Sequence, residues 1–275
     1  MKSSFKRLSS LVDSGEHSGA CEIASDREGV MAERGGGLSD LEDVVVVIEV
    51  DLNPPREVVQ RLRSLLSAEE AVRVDRFVRA DLTRRSLVCR GVLRQVLGGV
   101  LQMPAEGIRL TTGPHGKPAI APDQRAGVEF NVSHSRDTAL IAVGRRTLGV
   151  DLEAIDDQTP RDDLARRFFS ERECRDYFSL PADCRREAFY RLWTCKEAYI
   201  KATGEGLSLP LGQFSVSAFP DRRPGLFHVE GRPEEVDRWS FVMVPCRDDF
   251  FAALAVEGHG WTLERRVWDH AEGAV

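Results

Sequence analysis

Two short strings constrain the fold of this chain more than any other feature: GVDLE, residues 149–153, and WTCKEAYIK, residues 193–201. The first reads as a strand. Its side chains alternate with period two, so Asp151 and Glu153 project from one face while Leu152 points into the core. The second reads as a helix, in which positions four apart share a face, so Trp193, Glu197 and Lys201 form one stripe. A carboxylate pair on a strand and a carboxylate beside a cation on a helix suit phosphate chemistry with a hard, oxygen-seeking metal ion. Either string alone is ordinary: D-x-E is a common solvated strand face, and a Glu–Lys pair four residues apart is worth only ~0.3–0.5 kcal/mol.

Composition narrows what such a pair could serve. A chain of 275 residues, 42% hydrophobic and 30% charged, is long enough for a sizeable core in one large or two small domains. Its net charge of −6 argues against a general nucleic-acid binder, while a local basic patch could still hold a small anion. Cys21, Cys89, Cys174, Cys184, Cys195 and Cys246 form no C-x-x-C pair and read as reduced thiols, which points to a cytoplasmic protein without structural zinc. No apolar run approaches the ~18 residues of a membrane span, and the run 44–48 fits a buried strand. The first forty residues are rich in Ser, Gly and Glu, include Gly35, Gly36 and Gly37, and read as disordered. Lys2, Lys6 and Arg7 are not followed by the ~7–15-residue apolar segment of a signal peptide, and Met31 is a candidate start.

Along the chain, periodicity predicts a strand over 44–50, a helix over 57–66, a capping box at Ser67 and Glu70, and a long helix over 80–101. Strands are expected at 108–111, 128–132, 139–143 and 148–152, with turns at 113–116 and near Arg145. Helices at 162–169, 171–178 and 185–202 precede strands at 214–218, 226–229, 240–244 and 251–256. These elements divide the chain into a disordered extension (1–40), an N-terminal subdomain (41–147), a C-terminal subdomain (148–258) and a tail (259–275). No sequence identity links the two halves.

The two strings, in this order, resemble the G-[IV]-D-x-E strand and W-x-x-K-E-[AS]-x-x-K helix of the Sfp-like 4′-phosphopantetheinyl transferases. The resemblance runs from Ser67 to Phe214 and is strong because both motifs occur together at family spacing. It implies an α+β fold of two similar subdomains related by pseudo-two-fold symmetry, each a small, mainly antiparallel sheet packed with helices, with the ligand cleft between them. It also implies an activity: transfer of the phosphopantetheine arm of coenzyme A to a serine of an apo acyl or peptidyl carrier protein, releasing adenosine 3′,5′-bisphosphate. A monomer would suffice, because the cleft is built within one chain. The alternative is a catalytically silent coenzyme A-binding or carrier-docking protein, which would typically have lost a carboxylate or the helix lysine. No P-loop or dinucleotide fingerprint supports another phosphotransferase.

By the same resemblance, Asp151, Glu153 and Glu197 would ligate Mg2+, Glu197 would also be the general base, and Lys201 and Lys196 would touch the diphosphate. Gly116, Lys117 and Pro118, within HGKPAI, would line the adenine and 3′-phosphate pocket. Ser133 and His134, within FNVSHS, would contact coenzyme A phosphates, and Arg73, Arg85 and Ser86 would face the ligand. One position that is often basic in the family is Glu70 here, so the 3′-phosphate grip is expected to be arranged differently. Glu173, in RFFSERE, is a candidate polar residue near the site. Trp193 reads as a core aromatic, and Gly204 and Gly206 as the end of the second motif's helix. The resemblance covers carriers of fatty-acid, polyketide, nonribosomal-peptide and other carrier-dependent syntheses alike.

Overall fold

The computed structural model describes residues 41–271 except Pro114, Ala218, Pro220 and Asp221. The extension expected to be disordered, 1–40, and the candidate start Met31 lie outside the described residues. The elements follow in the order β1 (Val44–Asp51), α1 (Arg56–Ser64), α2 (Ala68–Asp75), α3 (Ala80–Leu101), β2 (Leu110–Thr112), β3 (Pro118–Ile120), β4 (Glu129–Ser135), β5 (Thr138–Gly144) and β6 (Leu148–Ala154). Then come α4 (Arg161–Phe168), α5 (Glu171–Ser179), α6 (Arg185–Thr203), β7 (Phe214–Ser217), β8 (Gly225–Val229), α7 (Glu235–Arg238), β9 (Trp239–Met243), β10 (Phe250–Glu257) and β11 (Thr262–Val267).

The strands form one sheet in the order β11-β1-β5-β4, a second in the order β6-β10-β9, and the two small hairpins β2-β3 and β7-β8. Among the described residues, every strand pairing apart from the parallel β1–β11 pair is antiparallel. Alternation explains the layering. Val46, Ile48 and Val50 of β1 pack with Leu87, Val88 and Val92 of α3, whereas Val45 and Val47 pack with Val150, Leu254 and Val256 of the second sheet. The far side of that second sheet, through Ala253 and Ala255, meets Trp193, Ala198 and Tyr199 of α6. The molecule is thus an α+β stack in which each sheet carries one long helix on its outer face. A β1 strand buried on both sides explains why 44–48 is an unbroken apolar run.

The capping box forms as expected, and Glu70 does more than cap. Its Oε2 accepts from the Ser67 amide at 2.9 Å and from Arg94 Nε at 2.7 Å, and the Arg94 guanidinium also donates to the Ala105 carbonyl. Arg94 is only 2% exposed, so an acid at position 70 compensates a buried cation that joins α2 to α3.

One boundary needs correction. Residues 259–275, expected as a tail, contain β11, which lies parallel to β1 from Thr262 opposite Val44 to Val267 opposite Glu49. The segment TLERRV hides its strand character behind charges that find partners: Arg265 bonds Glu49, and Arg266 bonds Glu264 at 2.7 Å. Trp268, 4% exposed, then inserts into the core beneath α3, so the C-terminal end of the chain completes the N-terminal sheet.

Candidate active site

The glycine that opens GVDLE fixes how strand and helix meet. A Cβ on Gly149 would collide with the Ala198 carbonyl oxygen and the Ala202 amide nitrogen and lie 2.8 Å from the Lys201 carbonyl carbon. Only a residue without a side chain lets the α6 backbone rest directly on β6. That approach brings Lys201 Nζ to 2.6 Å from Asp151 Oδ1 and 2.8 Å from Ser133 Oγ. Asp151, Glu153 and Glu197 are 1%, 3% and 5% exposed, so none of the three lies on a solvated face. Buried carboxylates are costly unless compensated, and a site that keeps three of them has a use for negative charge.

A row of side chains on β4 lines the same strand. Asn131 Oδ1 accepts from the Val150 amide at 3.0 Å, Ser133 Oγ from the Leu152 amide at 3.1 Å, and Ser135 Oγ from the Ala154 amide at 3.0 Å. The hydroxyls turn back to the acids, Ser133 to Asp151 Oδ1 at 3.0 Å and Ser135 to Glu153 Oε2 at 3.4 Å. Ser133, expected to contact coenzyme A phosphates, is therefore already committed. Its one proton goes to Asp151 and its two lone pairs to Leu152 and Lys201, leaving nothing for a phosphate in this state. His134, between the serines, shares by alternation the face of Phe130 and Val132, which packs toward α3. FNVSHS thus serves two sides of its sheet.

Two lysines depart from their expected roles. Lys196, expected at the diphosphate, is wholly buried, with Nζ 2.8 and 2.6 Å from the two Glu173 oxygens and 2.7 Å from the Phe214 carbonyl. Glu173 is in turn the capping partner of Ser170 and accepts from the Val216 amide at 2.7 Å, so the pair ties α5 and β7 to α6. Position 196 precedes Glu197 by one residue, about 100° around the helix, which turns it into the core, and its three acceptors use every ammonium donor.

Lys117, expected at the adenine pocket, sends its ammonium inward. Nζ donates to the Leu148 carbonyl at 3.1 Å and the Ala202 carbonyl at 2.9 Å, at the start of β6 and the end of α6. Burial, aided by Arg125, pushes its pKa down to about 8. The turn itself forms as the sequence suggests: Gly116 has φ +86 and its amide bonds the Gly113 carbonyl at 2.9 Å, and Pro118 opens β3 opposite Thr112. The Lys117 side chain anchors this turn to β6 and α6.

The remaining candidates lie around α3. Arg85 donates to Asp137 Oδ1, in the β4–β5 turn, at 2.8 Å, in a partly exposed contact. Arg73 on α2 is exposed, and Ser86 beside Arg85 is half-buried. Trp193 is a core residue, as its spacing suggests, stacked on Phe189 with ring centroids 5.6 Å apart. Sequence reasoning missed Asn131 and Ser135. Their signal was present as small polar residues at every second position, 131, 133 and 135, of β4.

The donor set is fit for a hard cation. Asp151 Oδ2 is buried and has no hydrogen-bond partner, the ligand atoms are all carboxylate oxygens, and Glu197 lies one helical turn from the lysine that holds Asp151. Among the described residues, no three acidic, histidine or cysteine side chains are placed to hold a metal ion.

Residues 147–255 match the family model for the 4′-phosphopantetheinyl transferase superfamily, and residues 51–145 match that for the 4′-phosphopantetheinyl transferase N-terminal region. The chain belongs to the 4′-phosphopantetheinyl transferase superfamily and is of its Sfp-like type. It is 35% identical to the 4′-phosphopantetheinyl transferase HetI of Nostoc sp. over 85% of this chain and 95% of that protein. It is 34% identical to Sfp of Bacillus subtilis over 63% of this chain and 76% of that protein. With ffp, also of Bacillus subtilis, it shares 36% identity over 64% of this chain and 77% of that protein.

Proposed function

We propose that the protein transfers the 4′-phosphopantetheine arm of coenzyme A to a serine of an apo acyl or peptidyl carrier protein, with adenosine 3′,5′-bisphosphate as the other product. The observation that carries this reading is the burial of Asp151, Glu153 and Glu197, with Lys201 bonded to Asp151 one helical turn from Glu197. In the transfer, the serine oxygen bonds to the phosphorus that bears the pantetheine arm, and the bond from that phosphorus to the oxygen shared with the adenosine phosphate breaks. The serine proton passes to Glu197, directly or through water. Two of Lys201's three ammonium donors are used by Asp151 and Ser133, so the third is available to charge growing on the departing phosphate. Asp151, Glu153 and Glu197 would hold Mg2+, which when bound neutralises the diphosphate through oxygen coordination.

Coenzyme A would meet the GKP turn at its adenine end, with Arg85, Ser86, Arg73 and His134 on the α3 side as candidates for its phosphates. Arg85 would trade Asp137 for that anion. Free thiols at Cys89, Cys174, Cys184, Cys195 and Cys246 are compatible with a cytoplasmic setting, and a cleft assembled within one chain with a monomer. No helix among the described residues is long and apolar enough to cross a membrane.

The reaction is checked by intact-mass spectrometry of an apo carrier protein incubated with the protein, coenzyme A and Mg2+. The carrier gains the mass of one phosphopantetheine, and Glu197→Ala lowers the rate by at least ~100-fold, the low end of a general acid–base contribution. An unmodified carrier, or a Glu197→Ala variant as fast as the native chain, overturns the reading.

A further inference from the structure

β4 ends the first sheet and β6 ends the second, yet the two edges are not joined by main-chain pairing. They are joined by Asn131, Ser133 and Ser135, each accepting from the amide of the residue nineteen positions later. The constant offset means that β4 and β6 run parallel and in register, with a side-chain oxygen standing where a carbonyl of a main-chain ladder would be. All three side chains are buried, at 6%, 5% and 6% exposure, and each oxygen satisfies an edge amide that has no water to turn to.

The same atoms reach the acids. Leu152 and Ala154 give their amides to the two serines, and the serine hydroxyls give their protons to Asp151 and Glu153, the residues directly before them. Each hydroxyl therefore ties the main chain of β6 and the carboxylate on that main chain to one point on β4. At Asp151 the result is visible: Oδ1 is held by Ser133 and Lys201, and Oδ2 is left without a partner.

We propose that Asn131, Ser133 and Ser135 are positioning residues of the transfer reaction, a side-chain ladder that fixes the register of β6 and presents Asp151 and Glu153 to the cation. The inference rests on the reading of those acids as cation ligands. A hydroxyl that orients a ligating carboxylate acts on metal affinity through its partner, and loss of such a partner typically weakens binding 10- to 100-fold. Apolar residues of similar size would fill the seam but would leave the β6 amides unpaired and the carboxylates unaimed.

Ser135 is the residue to test, because it touches neither Lys201 nor the GKP turn. Calorimetric titration of MgCl2 into the protein saturated with coenzyme A should show binding about 10-fold weaker in Ser135→Ala, with near-native affinity in Ser135→Thr, which restores the hydroxyl. Coenzyme A affinity measured without Mg2+ should be unchanged. If the alanine variant does not fold, Ser135→Cys carries the same test, since a thiol fills the space but is a weak hydrogen-bonding group. Native Mg2+ affinity in the folded variant lacking the hydroxyl overturns the ladder. Weakened Mg2+ binding alongside a native protein that modifies no carrier would support the ladder while removing the functional reading.

Discussion

At the residue scale, Lys117 shows how a side chain from a surface turn can be anchored between a strand and a helix. Its ammonium has two carbonyls and no carboxylate, and Arg125 adds repulsion, so burial favours the neutral form from about pH 8 instead of 10.5. Between those values the unfolded chain binds more protons than the folded one, so stability rises with pH across the window. The gain is at most about 3 kcal/mol, and the partial exposure of the side chain reduces it. Chemical denaturation at pH 7.5, 8.5 and 9.5 should show this rise above the background of other groups, and Lys117→Met should flatten it. An equal pH dependence in native and variant chains would contradict the account of Lys117.

At the element scale, the decisive contact is α6 against β6. Gly149→Ala inserts a methyl where main-chain atoms of Ala198, Lys201 and Ala202 already stand, and none of these can rotate away. Overpacking of this kind costs about 1–3 kcal/mol, so the melting temperature should fall by several degrees. The helix must shift to make room, which draws Lys201 away from Asp151, so transfer should fall more than 100-fold in the variant that remains folded. Mass spectrometry of the carrier and a thermal melt read the two effects separately. A folded Gly149→Ala protein with native activity would show that the close approach is not required.

Most elements were legible in the sequence because their apolar periodicity is strong: the long helices α3 and α6, the β4–β5–β6 run and β10 all form where the pattern places them. The missed elements lacked that signal. β3 is three residues beginning with proline, and β11 reads as charged because Glu264, Arg265 and Arg266 pair among themselves and with Glu49. Within the site, the family motifs pointed to the acids of β6 and to Lys201. They did not show that the Ser133 hydroxyl is saturated or that Lys196 turns inward to Glu173, since both depend on neighbours 18 or more residues away. Asn131 and Ser135 were overlooked because small polar residues in a strand look unremarkable until the strand they serve is known.

At the scale of the whole molecule, two sheets, each backed by one long helix, pack through an apolar layer and are joined at their β4 and β6 edges by a polar seam, and the acids of β6 lie on that seam. β11 belongs to the same design, since it draws the end of the chain back onto β1 and places Trp268 in the N-terminal core. The central claim is that Asp151, Glu153 and Glu197 act together on a cation that meets the diphosphate of coenzyme A. Its most direct test is a crystal structure with coenzyme A and Mn2+, read through the anomalous signal of the metal. The account predicts one strong peak between β6 and α6, in contact with those three carboxylates and a diphosphate oxygen, with Lys201 beside it. Coenzyme A bound with no metal at that position, or with the peak held by other residues, would contradict it.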